Sequence, residues 1–291
     1  MKNTDEIIEK YRQAGKILSQ VRAEAVKKVT EGATLLSVAE STEKLIRDRG
    51  GEPAFPVNIS RNDVAAHSTP SFNDAAVFGK DMVKLDIGVH IDGYIADTAI
   101  TVDLSGNPKL VEAAESALGE AIKFIHAGVN TSDIGGVIED TISSFGFKPI
   151  SNLTGHGLEQ YIQHAPPSIP NKRMPHGVLL EEGDIVAIEP FATNGAGKIH
   201  DAGSAEIYHI VSDRPVRHPS ARALLQEIGK YKTLPFAKRW LGEHVDFAMV
   251  QLVKAGIIQP YPILKEIKGG LISQAEHTIL VTGDGCEVIT R

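Results

Sequence analysis

Apolar residues recur at helical spacing near the start of the chain. Ile7, Tyr11, Ala14, Leu18 and Val21 are separated by charged positions, which predicts a helix from about Asp5 to Lys28. A second helix is predicted from about Leu35 to Arg49, stopped by Gly50-Gly51. Asn107-Pro108 opens a third, reaching about His126. Ser132 or Asp133 opens a fourth, ending near Gly146. Elsewhere the pattern alternates. Val83-Lys84-Leu85-Asp86 and Val186-Ala187-Ile188-Glu189 read as strands that each end in a carboxylate.

These elements repeat. The helix pairs match at a constant offset: Gly32 with Gly128, Val38 with Ile134, Ile46 with Ile142, Gly50 with Gly146, and Pro53 with Pro149. The strands match as well, and so do their partners. Ala96-Asp97-Thr98-Ala99-Ile100 parallels Ala275-Glu276-His277-Thr278-Ile279. Each half therefore reads helix, helix, then a hairpin carrying two acids. Two such halves can share one antiparallel sheet with helices on one face, an α+β arrangement.

The hairpins differ in one respect. Asp86 and Asp97 are close enough for a simple hairpin turning at Asp92-Gly93. Glu189 and Glu276 are too far apart for a bare loop. The second hairpin must contain an insertion, placed at about residues 212–264. Its pattern suggests about three helices, at Ala221 to Tyr231, Pro235 to Leu241 and His244 to Ala255. One domain over residues 1–291 with this inserted helical subdomain is the expected organisation.

Composition narrows the function. With 291 residues and 42% hydrophobic content the chain can bury a sizeable core. A formal charge of −7 argues against nucleic acid as the main partner. A single cysteine, Cys286, allows no internal disulfide and points to a reducing compartment. No stretch reaches the roughly 20 apolar residues of a membrane span, and the start lacks a secretory pattern. A cytoplasmic location is expected.

The acids carry the chemistry. A carboxylate inside an apolar strand pays a desolvation cost. Taken singly, each acid reads as an exposed strand-end carboxylate and His156 as a loop histidine. The duplication groups them. Asp86, Asp97, Glu189 and Glu276 converging on one sheet would repel one another, and two divalent cations would balance their charge. Oxygen ligands with one imidazole, His156 of Gly155-His156-Gly157, suit Co, Mn, Fe or Zn. Gly195-Ala196-Gly197 lacks the lysine of a phosphate loop and reads as a turn. Lys265, Lys268 and Arg239 read as a solvated basic face, His209 as a surface or loop residue, and Trp240 as a core residue of the insertion.

At these residues the chain resembles the methionine aminopeptidases of type 2, the archaeal and eukaryotic form with a helical insertion. The resemblance covers essentially the whole chain. It is carried by Ala54-Phe55-Pro56, Ala65-Ala66-His67-Ser68-Thr69-Pro70, Asp86 through Asp97, Gly155-His156-Gly157, His164-Ala165, Ile188-Glu189-Pro190-Phe191 and Gln274-Ala275-Glu276-His277-Thr278. In the insertion, Thr233-Leu234-Pro235-Phe236-Ala237 and Arg239-Trp240-Leu241 fit the same type. The resemblance implies the pita-bread fold. It implies two metal ions, one on Asp86 and the other on His156 and Glu189, bridged by Asp97 and Glu276.

A hydroxide held between the ions would be the nucleophile, and Glu189 would shuttle the proton. His67 and His164 would bind substrate and stabilise the transition state, and Phe55 would line the methionine pocket. The implied activity is removal of initiator methionine from nascent proteins and peptides, with a small second residue preferred. A monomer is expected, and the insertion is a candidate ribosome contact. Two other readings share the fold: an Xaa-Pro peptidase of the prolidase or aminopeptidase P kind, and a non-catalytic binding module. Ser68, Gly157 and Gln163 depart from the usual family pattern.

Overall fold

The computed structural model describes residues 3–291. Four helices follow the predicted pattern: α1 (Asp5–Ala25), α2 (Leu35–Asp48), α3 (Pro108–Phe124) and α4 (Thr131–Ser144). Thr4 caps α1 by accepting the Ile7 N–H, and Thr34 caps α2 by accepting that of Ser37. Val26–Lys28, expected in α1, tightens into a 3-10 turn. The cap of α4 is Asn130, not Ser132 or Asp133, since its side chain accepts the Ser132 N–H.

The duplication extends to individual hydrogen bonds. At the entry to α2, the Gly32 N–H donates to the Phe78 carbonyl and the Phe78 N–H to that of Ala33. At the entry to α4, Gly128 donates to Leu180 and Leu180 to Val129. Isolated bridges Thr34–Val77 and Asn130–Leu179 complete the match.

In the first half, strand Met82–Ile91 pairs with Tyr94–Asp103 through a turn at Asp92-Gly93. Val83, Leu85, Ile87 and Val89 pack on α1 and α2, so Lys84 and Asp86 point to the other face. In the second half, strand Ile185–Ile188 lies between Thr154–Glu159 and His277–Val281. Val186, Ile188, Ala275 and Ile279 pack on α3 and α4, which leaves Glu189 and Glu276 on the opposite side. Period-two alternation thus places all four acids away from the helices.

The halves meet along a seam between strand Tyr94–Asp103 and residues 274–278. The Glu276 N–H donates to the Ala99 carbonyl at 3.0 Å. The Thr98 hydroxyl donates to the Glu276 carbonyl at 2.7 Å, and that of Thr101 to the Gln274 carbonyl at 2.7 Å. Threonine side chains complete what would otherwise be a broken ladder.

Residues 212–264 hold α5 (Pro219–Ile228) and α6 (Asp246–Lys254), around a small core of Ala221, Leu224, Ile228, Phe236 and Leu252. The expected helix at Pro235 to Leu241 is instead a short strand, Phe236–Ala237, followed by a 3-10 turn, Lys238–Leu241. The range also ends in strand rather than helix. Ile258–Glu266 pairs with Ile199–Ile210 and, on its other edge, with Val64–Ala66.

Arg239 is not part of a solvated face. It is buried in an ion pair with Glu43 of α2 and donates to the Thr69 hydroxyl at 2.7 Å. The half-buried Trp240 donates its indole N–H to the same Glu43 carboxylate at 2.8 Å. Gly195-Ala196-Gly197 is the expected turn. The Ala196 and Gly197 N–H groups donate to one oxygen of Glu266, and those of Lys268 and Gly270 to the other. No helix among the described residues is long and apolar enough to cross a membrane.

Candidate metal centre

The five residues singled out as ligands come together. Asp97, His156 and Glu276, all buried, offer ligand atoms that lie within 4.8 Å of one another. His156 Nε2 lies 3.5 Å from Glu189 Oε1 and 4.0 Å from Asp97 Oδ2. Asp86 and Asp97 are neighbours, close enough that the charge of Asp86 raises the pKa of Asp97. Gln274 Nε2 reaches Glu189 Oε2 at 3.4 Å and Glu276 Oε2 at 3.5 Å, spanning two of the acids.

Local sequence explains the position of His156. It sits on strand Thr154–Glu159, opposite Ala187. A Cβ on Gly155 would lie 2.2 Å from the Ala187 carbonyl oxygen, and one on Gly157 would lie 2.0 Å from that of Pro166. Only glycine permits these approaches on both sides of the imidazole.

Electrostatics shows what the cluster is built for. Burial raises Asp86 to about 7. Asp97, Glu189 and Glu276 rise well above the carboxylate range, first from burial and then from mutual repulsion. Four carboxylates cannot all ionise here without compensating positive charge. His156 moves the opposite way. Burial holds it near 4, so it is neutral. Its Nδ1 lies 3.2 Å from the Gly157 carbonyl, which can only accept. The proton is therefore on Nδ1, and Nε2 presents its lone pair to the acids. Asp86 Oδ1 and Asp97 Oδ1 are buried with no hydrogen-bond partner among the described residues. Unpaired carboxylate oxygens beside a free imidazole lone pair fit a hard or borderline divalent cation.

The other predicted residues line the same cavity. Phe55, His67 and His164 surround it together with Asp86, Asp97 and His156. Phe55 is both core and wall. It is 2% exposed, and a Cβ on Gly88 would lie 2.2 Å from its ring. His164 stacks edge-on to His156 with centroids 4.6 Å apart. It reaches solvent at the rim, yet the protein packed around it, followed by the imidazoles of His156, His67 and His209, holds its pKa well below the usual histidine value. His67 adopts a left-handed backbone, φ 63°, and its Nδ1 lies 3.1 Å from the Pro262 carbonyl.

Comparison with known proteins settles the family. The model of metallopeptidase family M24 matches residues 9–216. A methionine aminopeptidase of Archaeoglobus fulgidus is 53% identical over 289 residues, covering 99% of both chains. The chain belongs to the methionine aminopeptidases.

The methionine aminopeptidase of Methanocaldococcus jannaschii is 51% identical, covering 97% of this chain and 98% of its own. The type 2 resemblance thus finds archaeal relatives over the full length. A solved methionine aminopeptidase of Thermotoga maritima has the same fold, with a TM-score of 0.74 at 24% identity, covering 100% of this chain and 99% of its own. The protein is a pita-bread metallopeptidase that hydrolyses the N-terminal methionine from its substrates.

Sequence reasoning missed part of the methionine aminopeptidase cavity. Asn58, Ala66, Gln163, Ile207, Pro235 and Tyr261 also line it. His209, expected as a surface or loop residue, is on strand Ile199–Ile210. Its Nδ1 lies 2.9 Å from the Tyr261 hydroxyl, and Tyr261 also meets His67 edge-on. The signal for Tyr261 was hidden because its strand includes Pro260 and Pro262, residues that weaken any strand prediction.

Proposed function

We propose that this methionine aminopeptidase removes initiator methionine from nascent proteins and peptides, using two divalent ions, and prefers a small second residue. One observation carries the reading: Asp86, Asp97 and His156, part of a cluster of four raised-pKa carboxylates and a neutral imidazole, share a cavity with His67, His164 and Phe55. In this reading Asp86 would hold one ion, His156 and Glu189 would hold the other, and Asp97 and Glu276 would contribute to holding both. Co, Mn, Fe and Zn all suit the donor set. When bound, such ions acidify water and polarise the scissile carbonyl.

The chain's own residues do the rest. Phe55 receives the methionine side chain on its ring. His67 has its Nδ1–H committed to Pro262, so its free Nε2 accepts the N–H of the scissile peptide. The exposed edge of His164 donates to the carbonyl oxygen as charge develops there. Glu189 relays a proton from the attacking water to the leaving amide nitrogen. Gln274 keeps that carboxylate oriented.

Residues 212–264 form an inserted subdomain in this reading, and it is the surface offered to the ribosome. The chain acts as a cytoplasmic monomer, consistent with one cysteine and a charge of −7. The deciding experiment compares Met-Ala-Ser, Met-Leu-Ser and an Xaa-Pro dipeptide on metal-loaded protein. Fast methionine release from the first, slow release from the second and none from the third is expected. Preferred cleavage of Xaa-Pro would establish a prolidase-like enzyme instead. No cleavage of any substrate by fully loaded protein would leave a binding module.

A further inference from the structure

Asn58 stands on strand Asn58–Arg61, directly opposite Asp86 in the antiparallel ladder. Opposed residues project to the same face, so the amide shares the carboxylate's side of the sheet. Asn58 is 5% exposed and lines the catalytic cavity. Its Nδ2 lies 3.3 Å from the Pro56 carbonyl oxygen. That oxygen can only accept, which fixes the orientation of the amide. Oδ1 is then left buried with no hydrogen-bond partner among the described residues. A buried acceptor of this kind is costly unless a ligand meets it.

The chemistry of the missing partner is narrow. A neutral amide oxygen seeks an N–H or O–H donor. Phe55, three residues earlier, supplies the wall for the first side chain of the substrate. The α-amino group is attached to the same carbon as that side chain, so it falls beside Phe55 and Asn58. The scissile peptide N–H is assigned to His67, from a different turn. Resting on the reading of this cavity as the methionine-releasing site, we propose that Asn58 Oδ1 accepts an N–H of the substrate's free α-amino group. Asn58 would thus be a specificity residue that distinguishes a chain terminus from an internal peptide.

The test uses full-length, Mn(II)-loaded protein with two competitive inhibitors of methionine release. One is L-methioninamide. The other is its des-amino analogue, 4-(methylthio)butanamide. In Asn58→Leu, methioninamide should weaken roughly 10- to 100-fold, the loss expected for one hydrogen bond to a charged donor, while the des-amino analogue stays within about twofold. Metal content and melting temperature should match wild type. Asn58→Ser, smaller and still polar, provides the same comparison if the leucine variant does not fold. Equal weakening of both inhibitors, unchanged methioninamide binding, or loss of metal would each overturn the role. Wild-type protein that releases no methionine would overturn the functional reading itself, and that result appears before any variant is made.

Discussion

The Thr278 hydroxyl donates to the Asp97 carbonyl and accepts the Asp97 N–H, both at 2.8 Å. One side chain from the second half therefore satisfies both backbone groups of a residue of the acidic cluster in the first. The strands touch at this point without a backbone ladder between them, and the registry of the centre depends on it.

Replacing Thr278 with valine keeps the shape and removes both bonds. Two buried backbone groups of Asp97 are left unpaired, which should cost about 2–4 kcal/mol of stability. Metal affinity should fall about tenfold or more, because the partner that orients a ligand is gone. Urea unfolding and metal titration check the two effects. A variant with wild-type stability would show that the seam is held elsewhere.

Asp97→Asn preserves volume and removes one charge from the cluster. Methionine release should drop at least about 100-fold, with bound metal reduced in parallel. Metal analysis and a methionine-release assay on the same sample measure both. Full activity would rule out Asp97 as a ligand.

Metal uptake should release protons, increasingly so as pH falls. In the metal-free protein Asp86 titrates near 7, and Asp97, Glu189 and Glu276 titrate above their usual range. Below neutrality the acids hold protons that a cation must displace, so affinity rises as pH rises through about 7. His156, held near 4, is already neutral and contributes none. Calorimetric Mn(II) titrations at pH 6.5 and 8.5, in buffers of different ionisation enthalpy, give the proton count. Equal counts at the two values would contradict the charge assignment.

Arg239→Met leaves Glu43 buried without its cation. Breaking one side of such a pair costs about 3–5 kcal/mol. Burial already raises the pKa of Glu43, and Arg239 is the largest influence pulling it back. Adding Glu43→Gln to the same variant should recover part of the loss. Denaturant unfolding of the single and double variants measures it, and a single variant as stable as wild type would remove the pair as an anchor.

Much of the centre was legible because the chain repeats itself. Asp86 and Glu189 hold matched positions in apolar strands, although Asp86 lies within Met82–Ile91 rather than at its end, and alternation alone sent both to the face away from the helices. The equivalence of Asp97 and Glu276 identified the second pair. What could not be read depends on contacts between distant segments. Tyr261 reaches the cavity only because Ile258–Glu266 pairs with Ile199–Ile210 and Val64–Ala66, a tertiary choice that no local period encodes. Arg239 looked like a surface charge because its partner, Glu43, belongs to a helix in the other part of the chain. Asn58 gave no signal at all, since one asparagine in a strand carries chemistry only once its neighbour across the ladder is known.

Neither duplicated half holds all five residues of the proposed centre. Asp86 and Asp97 come from one lobe, and His156, Glu189 and Glu276 from the other. A cation gathered by all five would act as a further rivet through two lobes already joined by the threonine-stitched edge, by the pairing of Ile258–Glu266 with Val64–Ala66 and by a shared apolar cluster around Tyr11, Phe55 and Leu158. The catalyst would then be its own clasp: stripping the metal should loosen the molecule along its dyad, and anything that pries the lobes apart should empty the site.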